Sequence, residues 1–164
     1  MPSLPLPARQ LYWDGKPQPS TASSPSTFQS IDPSTAKPLA DIYAASESDI
    51  SAAVNSAAKA FPSWSKTPPI VRARILQRAA TLLRNQNDEL ARIETLDTGK
   101  PFSETSVVDV VTGADVLEYY ANLVGGGGLA GERTQLREGA WCESTKEPLG
   151  VCVGIGAWNY PIQM

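Results

Sequence analysis

Apolar positions recur at helical spacing through the middle of the chain. Ile50, Ala53, Val54, Ala57, Ala58 and Phe61 share one face, Ser46 with Asp49 reads as a capping-box start, and Pro62 is the expected stop. A second helix is predicted with Thr67 as N-cap and Pro68 at the first helical position, where a missing N–H costs nothing. Its expected buried stripe is Ile70, Val71, Ile75, Ala79, Leu82 and Leu83. Asn85-Gln86-Asn87 interrupts the pattern, and Asn87 can cap a further helix carrying Leu90, Ile93 and Leu96 that Gly99 and Pro101 close. A long helix from about Ser103 to Val124 comes next, with Val107, Val110, Val111, Ala114, Leu117 and Ala121 apolar, until Gly125 to Gly128 breaks it.

Before and after these helices the period is extended. Gln10 to Asp14, Thr27 to Ile31 and Leu39 to Tyr43 read as short strands of an antiparallel ribbon, with Asp32-Pro33-Ser34 as a turn. Residues 1 to about 38 are rich in Pro, Ser and Thr, and the PSTASSPST run is polar enough to form an extended arm. Glu132 to Arg137 and Ala140 to Lys146 flank Glu138-Gly139 as a hairpin. Last comes the apolar run around Val151 to Ile155, which reads as a buried strand emptying into Ala157-Trp158-Asn159-Tyr160-Pro161. Such a strand needs neighbours on both edges. Within these residues no later strand is available, so an exposed, poorly ordered end is expected.

Composition narrows the classes. A 164-residue chain with 41% hydrophobic residues can bury a sizeable core. Its net charge of -3, with no basic cluster, argues against a nucleic-acid partner. No apolar stretch of about 18 residues suggests a membrane span, and three prolines in MPSLPLPARQ do not fit a signal segment, so a cytoplasmic location is expected. Cys142 and Cys152 are too few for a disulfide framework, and Cys152 is expected in the core with Cys142 packed on the hairpin. With no histidine in the chain, it contains no imidazole base or ligand.

The chemistry-bearing candidates gather at the end. Gly154-Ile155-Gly156 begins a dinucleotide fingerprint, but the sixth position is Asn159 rather than Gly, so the pattern fails. Asn159, between Trp158 and Tyr160 and followed by Pro161, is either a preorganised oxyanion donor or a turn residue. Tyr160 is either an aromatic face for a cationic group or core.

The run GIGAWNYP at Gly154 to Pro161 resembles the signature loop of the NAD(P)-dependent aldehyde dehydrogenases. Asn87 to Lys100, Ser103 to Leu123, Arg137-Glu138 and Glu147 to Gly150 are similar to segments of the betaine aldehyde dehydrogenases, so the resemblance covers roughly residues 27 to 164. It implies an α/β fold, the N-terminal part of an aldehyde dehydrogenase. The expected divisions are a mobile arm at 1–26, a ribbon and helices at 27–130, an oligomerisation-type hairpin at 131–147, and the first strand and loop of a Rossmann-like cofactor domain at 148–164.

By the same resemblance, Asn159 is the catalytic asparagine that holds the oxyanion when a cysteine thiolate attacks an aldehyde. Ile155, Gly156, Ala157 and Trp158 line NAD or NADP, and Tyr160 forms one wall of a box for the trimethylammonium group of betaine aldehyde, where cation–π attraction is worth about 1–2 kcal/mol. A potassium site is implied at Ser30 and Ile31, through backbone carbonyls, and Asp97; the other reading of Asp97 is a hydrogen bond to the Thr98-Gly99 turn. The family's nucleophilic cysteine, general-base glutamate and adenosine-ribose residues would fall after Met164, so the 164-residue chain is expected to be inactive alone. The implied function is oxidation of betaine aldehyde or a related aminoaldehyde, in glycine betaine biosynthesis, by a homo-oligomer. A different reading is a non-catalytic module that docks on full-length subunits through Glu132 to Lys146.

Overall fold

The computed structural model describes residues 10–164. Residues 1–9 of the expected arm lie outside the described residues. The rest of the arm already contains regular structure. Strands β1 (Leu11–Trp13) and β2 (Lys16–Gln18) pair antiparallel across Asp14-Gly15, both at positive φ (56° and 73°), the conformation a two-residue Asp-Gly hairpin demands. β1 is the strand expected at Gln10 to Asp14, whereas β2 falls where the composition predicts an extended arm, because the Asp-Gly signal sits in a stretch dominated by Pro and Ser.

Strands β3 (Ser26–Asp32) and β4 (Lys37–Ala44) pair as expected, with a register shift between Ser30 and Ile31, but form a two-stranded ribbon of their own, since β1 pairs with β2 instead of joining it. Its turn is organised by Asp32, which accepts hydrogen bonds from Ser34 Oγ (2.6 Å), Ser34 N (2.8 Å) and Thr35 Oγ1 (2.8 Å). These bonds hold the Asp32 carboxyl below the usual carboxylate range.

Helix α1 (Glu47–Trp64) opens on the predicted capping box: the Asp49 amide donates to Ser46 Oγ, and the Ser46 amide to Asp49 Oδ2. Asp49 is buried and also accepts from Ser20 Oγ and the Thr21 amide, both at 2.6 Å, which ties the polar segment before β3 to the helix. Burial pushes the Asp49 carboxyl up, but these donors outweigh it and leave it well below its ordinary value.

Two helix boundaries differ from the sequence pattern. Pro62 lies inside α1, because a proline within the last turn forfeits a single helical bond, and the chain continues to Trp64. Thr67 closes that helix, donating from Oγ1 to the Ser63 carbonyl at 3.2 Å, instead of opening the next. Helix α2 (Pro69–Asn85) therefore starts one residue later, with Pro68 at the N-cap and Pro69 first. Asn87 is likewise inside helix α3 (Asn87–Thr98), where its Nδ2 donates to the Ser106 carbonyl at 3.0 Å and makes no cap. Gly99 does end α3, at φ 78°, and a Cβ there would meet the Pro33 ring at 2.8 Å, so only glycine fits.

The last long helix is continuous but not uniform. A turn of helix, α4 (Phe102–Glu104), passes through a π-helical segment, Thr105–Asp109, into α5 (Val110–Gly125). The widened segment turns Thr105 and Asp109 inward, and Thr105 Oγ1 donates to the Ala91 carbonyl at 3.0 Å. Helices α2 and α5 run antiparallel, Ala73 close to Gly125 at one end and Arg84 bonded to Asp115 and Glu118 at the other.

The buried residues of these two helices are mostly small, Ala73 and Ala80 on α2 with Ala114 and Ala121 on α5, and Val110 is the large exception. This corrects the expected stripe of α2: Ile70, Val71, Ile75 and Leu82 are exposed, because the alanine face permits the closer approach. Ile50 and Val54 on α1 and Val107 are exposed as well.

Strands β5 (Glu132–Arg137) and β6 (Ala140–Ser144) make the predicted hairpin around Gly139, at φ 71°. Its residues are almost all exposed, Cys142 among them, because the hairpin lies against no other layer. The strand expected at 151 to 155 does not form. Val153 and Ile155 are 81% and 97% exposed, and Cys152 is exposed rather than in the core. With no neighbouring strand, the backbone has no partners to order it. Among the described residues, no helix is long and apolar enough to cross a membrane.

Candidate functional site

The segment from Gly154 to Met164 has an open tip and a docked foot. At the tip, Ile155, Gly156, Ala157 and Asn159 are exposed and Trp158 is 89% exposed. A Cβ at Gly154 or Gly156 would meet nothing within 4 Å, so no group shields this backbone from a flat ligand. The open backbone leaves room for a flat ligand along one side of this segment. It supplies no phosphate cradle.

The foot begins at Tyr160, whose carbonyl accepts from the amides of Gln163 (3.0 Å) and Met164 (3.1 Å) to close a turn. The Lys100 ammonium lies over the Tyr160 ring, 3.2 Å from its centre, and donates to Asp109 Oδ2 at 2.8 Å, with Glu104 Oε1 at 3.7 Å. Burial would lower the pKa of Lys100, but the bond to Asp109 and the surrounding negative charge outweigh it and raise it. Two residues on, Ile162 rests against Gly113 of α5, where a Cβ would stand 3.2 Å from the Ile162 carbonyl oxygen.

Beneath this foot is a buried acid pair. Asp109 is fully buried and Glu94 nearly so, and Glu94 Oε1 and Asp109 Oδ1 have no donor among the described residues. Burial, then the hydrogen bond and charge of Asp109, push the Glu94 carboxyl up to about 7, against the pull of the Ile162 amide and Lys100. A proton on Glu94 thus supplies a donor between two acids that would otherwise repel.

The ribbon completes the site. Ser30 Oγ donates to Asp97 Oδ1 at 2.6 Å, which joins two of the three expected cation ligands across 67 positions of sequence. This bond replaces the alternative in which Asp97 serves its own turn; Thr98 Oγ1 donates instead to the Glu94 carbonyl. Ile31 is the next residue on β3, with its side chain exposed. A cleft of about 210 Å³ runs between ribbon, α3 and foot, lined by Ser30, Leu39, Glu94, Asp97, Pro161 and Ile162 among others. No cluster of three His, Cys, Asp or Glu residues that would hold a metal ion occurs among the described residues.

The structure therefore brings Ser30, Asp97 and the foot together and leaves Asn159 and the 155–158 wall projecting from it. Lys100, Glu94 and Asp109 escape sequence reasoning. A signal is present for two of them: Glu94 falls three and four residues after Ala91 and Leu90, a carboxylate on an apolar face, and Asp109 immediately precedes Val110 on another.

The ribbon, the helical layer and the hairpin leading into an exposed Trp-Asn-Tyr-Pro loop match the front portion of an aldehyde dehydrogenase fold. The aldehyde dehydrogenase family matches residues 20–164, and the chain belongs to that family. Among solved structures, indole-3-acetaldehyde dehydrogenase AldA of P. syringae, in complex with NAD+ and IAA, is 32% identical over 95% of this chain and 31% of its own, with a TM-score of 0.86. The aldehyde dehydrogenase KauB from Pseudomonas aeruginosa is 31% identical over 93% of this chain and 30% of its own, with a TM-score of 0.85. PnpE from Pseudomonas sp. WBC-3 is 29% identical, covers 95% and 31%, and has a TM-score of 0.86. The chain thus spans about a third of the length of these structures.

Proposed function

We propose that this chain supplies the N-terminal portion of a cytoplasmic, NAD- or NADP-dependent dehydrogenase that oxidises betaine aldehyde, or a related aminoaldehyde, to the acid in glycine betaine formation. The observation that carries the reading is the loop geometry: Asn159 projects freely while the next residue, Tyr160, is held by Lys100. In this reading the Asn159 amide donates to the oxyanion formed when a thiolate adds to the aldehyde carbonyl. Being neutral, it does so without titrating.

Ile155, Gly156, Ala157 and Trp158 would hold the nicotinamide side of the cofactor, which accepts the hydride when bound. One face of Tyr160 is covered by Lys100, so a trimethylammonium group would meet the opposite face. Ser30, Ile31 and Asp97 would hold potassium, with Ser30 and Asp97 already in contact.

The test extends expression into the reading frame beyond Met164. The longer product is expected to form NADH from betaine aldehyde faster than from an aliphatic aldehyde of equal length, and the 164-residue chain alone to form none above blank. Asn159→Ala should lower kcat of the longer product by roughly 10²–10³ with NAD affinity kept. Unchanged kcat in that variant refutes the oxyanion role, and equal rates with the two aldehydes refute the substrate.

The exposed hairpin favours one second reading, a non-catalytic module that docks on complete subunits through residues 132 to 146. Co-purification with a complete homologous subunit, without gain in activity, would support it. In the first reading the same surface serves homo-oligomer assembly.

A further inference from the structure

We propose that Lys100 and Glu94 are positioning residues: together they dock the foot of the terminal loop, through the Tyr160 ring and the Ile162 backbone, and so set where Asn159 projects. This deepens the proposed dehydrogenase function and rests on Asn159 as the oxyanion donor.

The geometry is specific. Lys100 reaches its place because Gly99 ends α3 in the left-handed conformation and turns the chain toward the π-helical segment. There the ammonium is held on one side by buried Asp109 at 2.8 Å and meets the Tyr160 ring on the other at 3.2 Å. A cation so partnered is fixed in position, and the ring quadrupole is attracted to it. Glu94 lines the same cleft as Ile162, whose carbonyl abuts Gly113, so the foot lies against α3 and α5 at once. Asn159 is the immediate neighbour of Tyr160 in sequence and has no hydrogen bond of its own among the described residues. Its placement is therefore inherited from the foot.

The π-helical segment is part of this device. Widening the helix at Thr105–Asp109 is what brings Asp109 inward beneath Lys100, at a point where a regular helix would shift its angular position.

The experiment uses the 164-residue chain and reads the foot directly. In proton NMR, the Lys100 ε-methylene resonances should be displaced upfield by the Tyr160 ring current. Tyr160→Leu should abolish that displacement and Tyr160→Phe should keep it. By hydrogen exchange, Lys100→Met, Tyr160→Leu and Glu94→Leu should each reduce protection of the Gln163 and Met164 amides roughly tenfold. Lys100→Arg and Glu94→Gln should restore it.

Unchanged protection in both Lys100→Met and Tyr160→Leu, with helical circular dichroism intact, overturns the proposal. Where Lys100→Met loses helix, Tyr160→Leu decides alone, because Tyr160 lies outside every helix. Asn159→Ala must leave the displacement and the protection untouched. If they fall in that variant, the tip holds the foot and the inference is wrong. Loss of the oxyanion role is read separately, from kcat of the longer product, so the two ideas fail in different measurements.

Discussion

Glu94 shows how one residue links the fold to solution conditions. A carboxylic acid raised from 4.5 to about 7 binds its proton more tightly in the folded chain than in the unfolded one. Its contribution to stability is therefore full below pH 4.5 and is lost as pH rises through about 7, where Glu94 ionises beside Asp109. The groups facing it are Asp109 from the π-helical segment, Lys100 from the α3–α4 connection and the Ile162 amide from the foot. Urea midpoints measured across this range should fall for the wild type and stay flatter for Glu94→Gln, which cannot ionise. Parallel slopes for the two proteins would mean another group carries the dependence. Asp49 has the opposite sign: its lowered pKa gives a contribution present above 3.8 and lost as pH falls, so the two acids shape opposite limbs of the profile.

Among the elements, α5 separates helix stability from loop placement. Gly113 is buried in mid-helix, where alanine would favour the helix by up to about 1 kcal/mol. The added Cβ would press on the Ile162 carbonyl oxygen at 3.2 Å, and the foot must give way. Gly113→Ala is accordingly expected to leave the thermal midpoint unchanged or raised while lowering hydrogen-exchange protection at Gln163 and Met164. A lowered midpoint with the foot still protected would contradict the contact.

Local signals make most of this architecture legible in the sequence. The Ser46–Asp49 box, the Gly99 stop and the Glu138-Gly139 turn each depend on backbone chemistry within a few residues. The α2 stripe is misread because bulky apolar residues and alanines occupy different faces, and only the approach of α5 chooses between them. Thr67 and Asn87 are misread for a related reason: a cap-forming side chain does not say which helix it serves. In the site, Asn159 and the Ser30–Asp97 pairing are reached through resemblance to a family. The Lys100–Asp109–Glu94 arrangement depends on a π-helical turn that no spacing in the sequence announces.

At the scale of the whole molecule, order is distributed unevenly along the last third of the chain's final hundred residues. The β5–β6 hairpin is internally paired, the backbone amides of Val151–Ile155 have no hydrogen-bond partner among the described residues, and the turn from Tyr160 is closed again. Large apolar side chains show the same division, with Leu149 94% exposed while Ile162 lies in the cleft. An apolar, unpaired segment held at both ends is the part of this chain that would gain most from neighbouring strands. Hydrogen exchange resolved by residue should therefore find Val151–Ile155 close to the rate of an unstructured peptide, with Gln163 and Met164 slower despite standing at the chain's end. In the dehydrogenase proposed above, a longer product that supplies strands to both edges should reverse the contrast at Val151–Ile155. Strong protection there in the 164-residue chain would mean that the edges are already covered, by a second copy if protection rises with concentration. An unprotected run in the longer product would remove this stretch from the cofactor domain and, with it, the wall proposed for the dinucleotide.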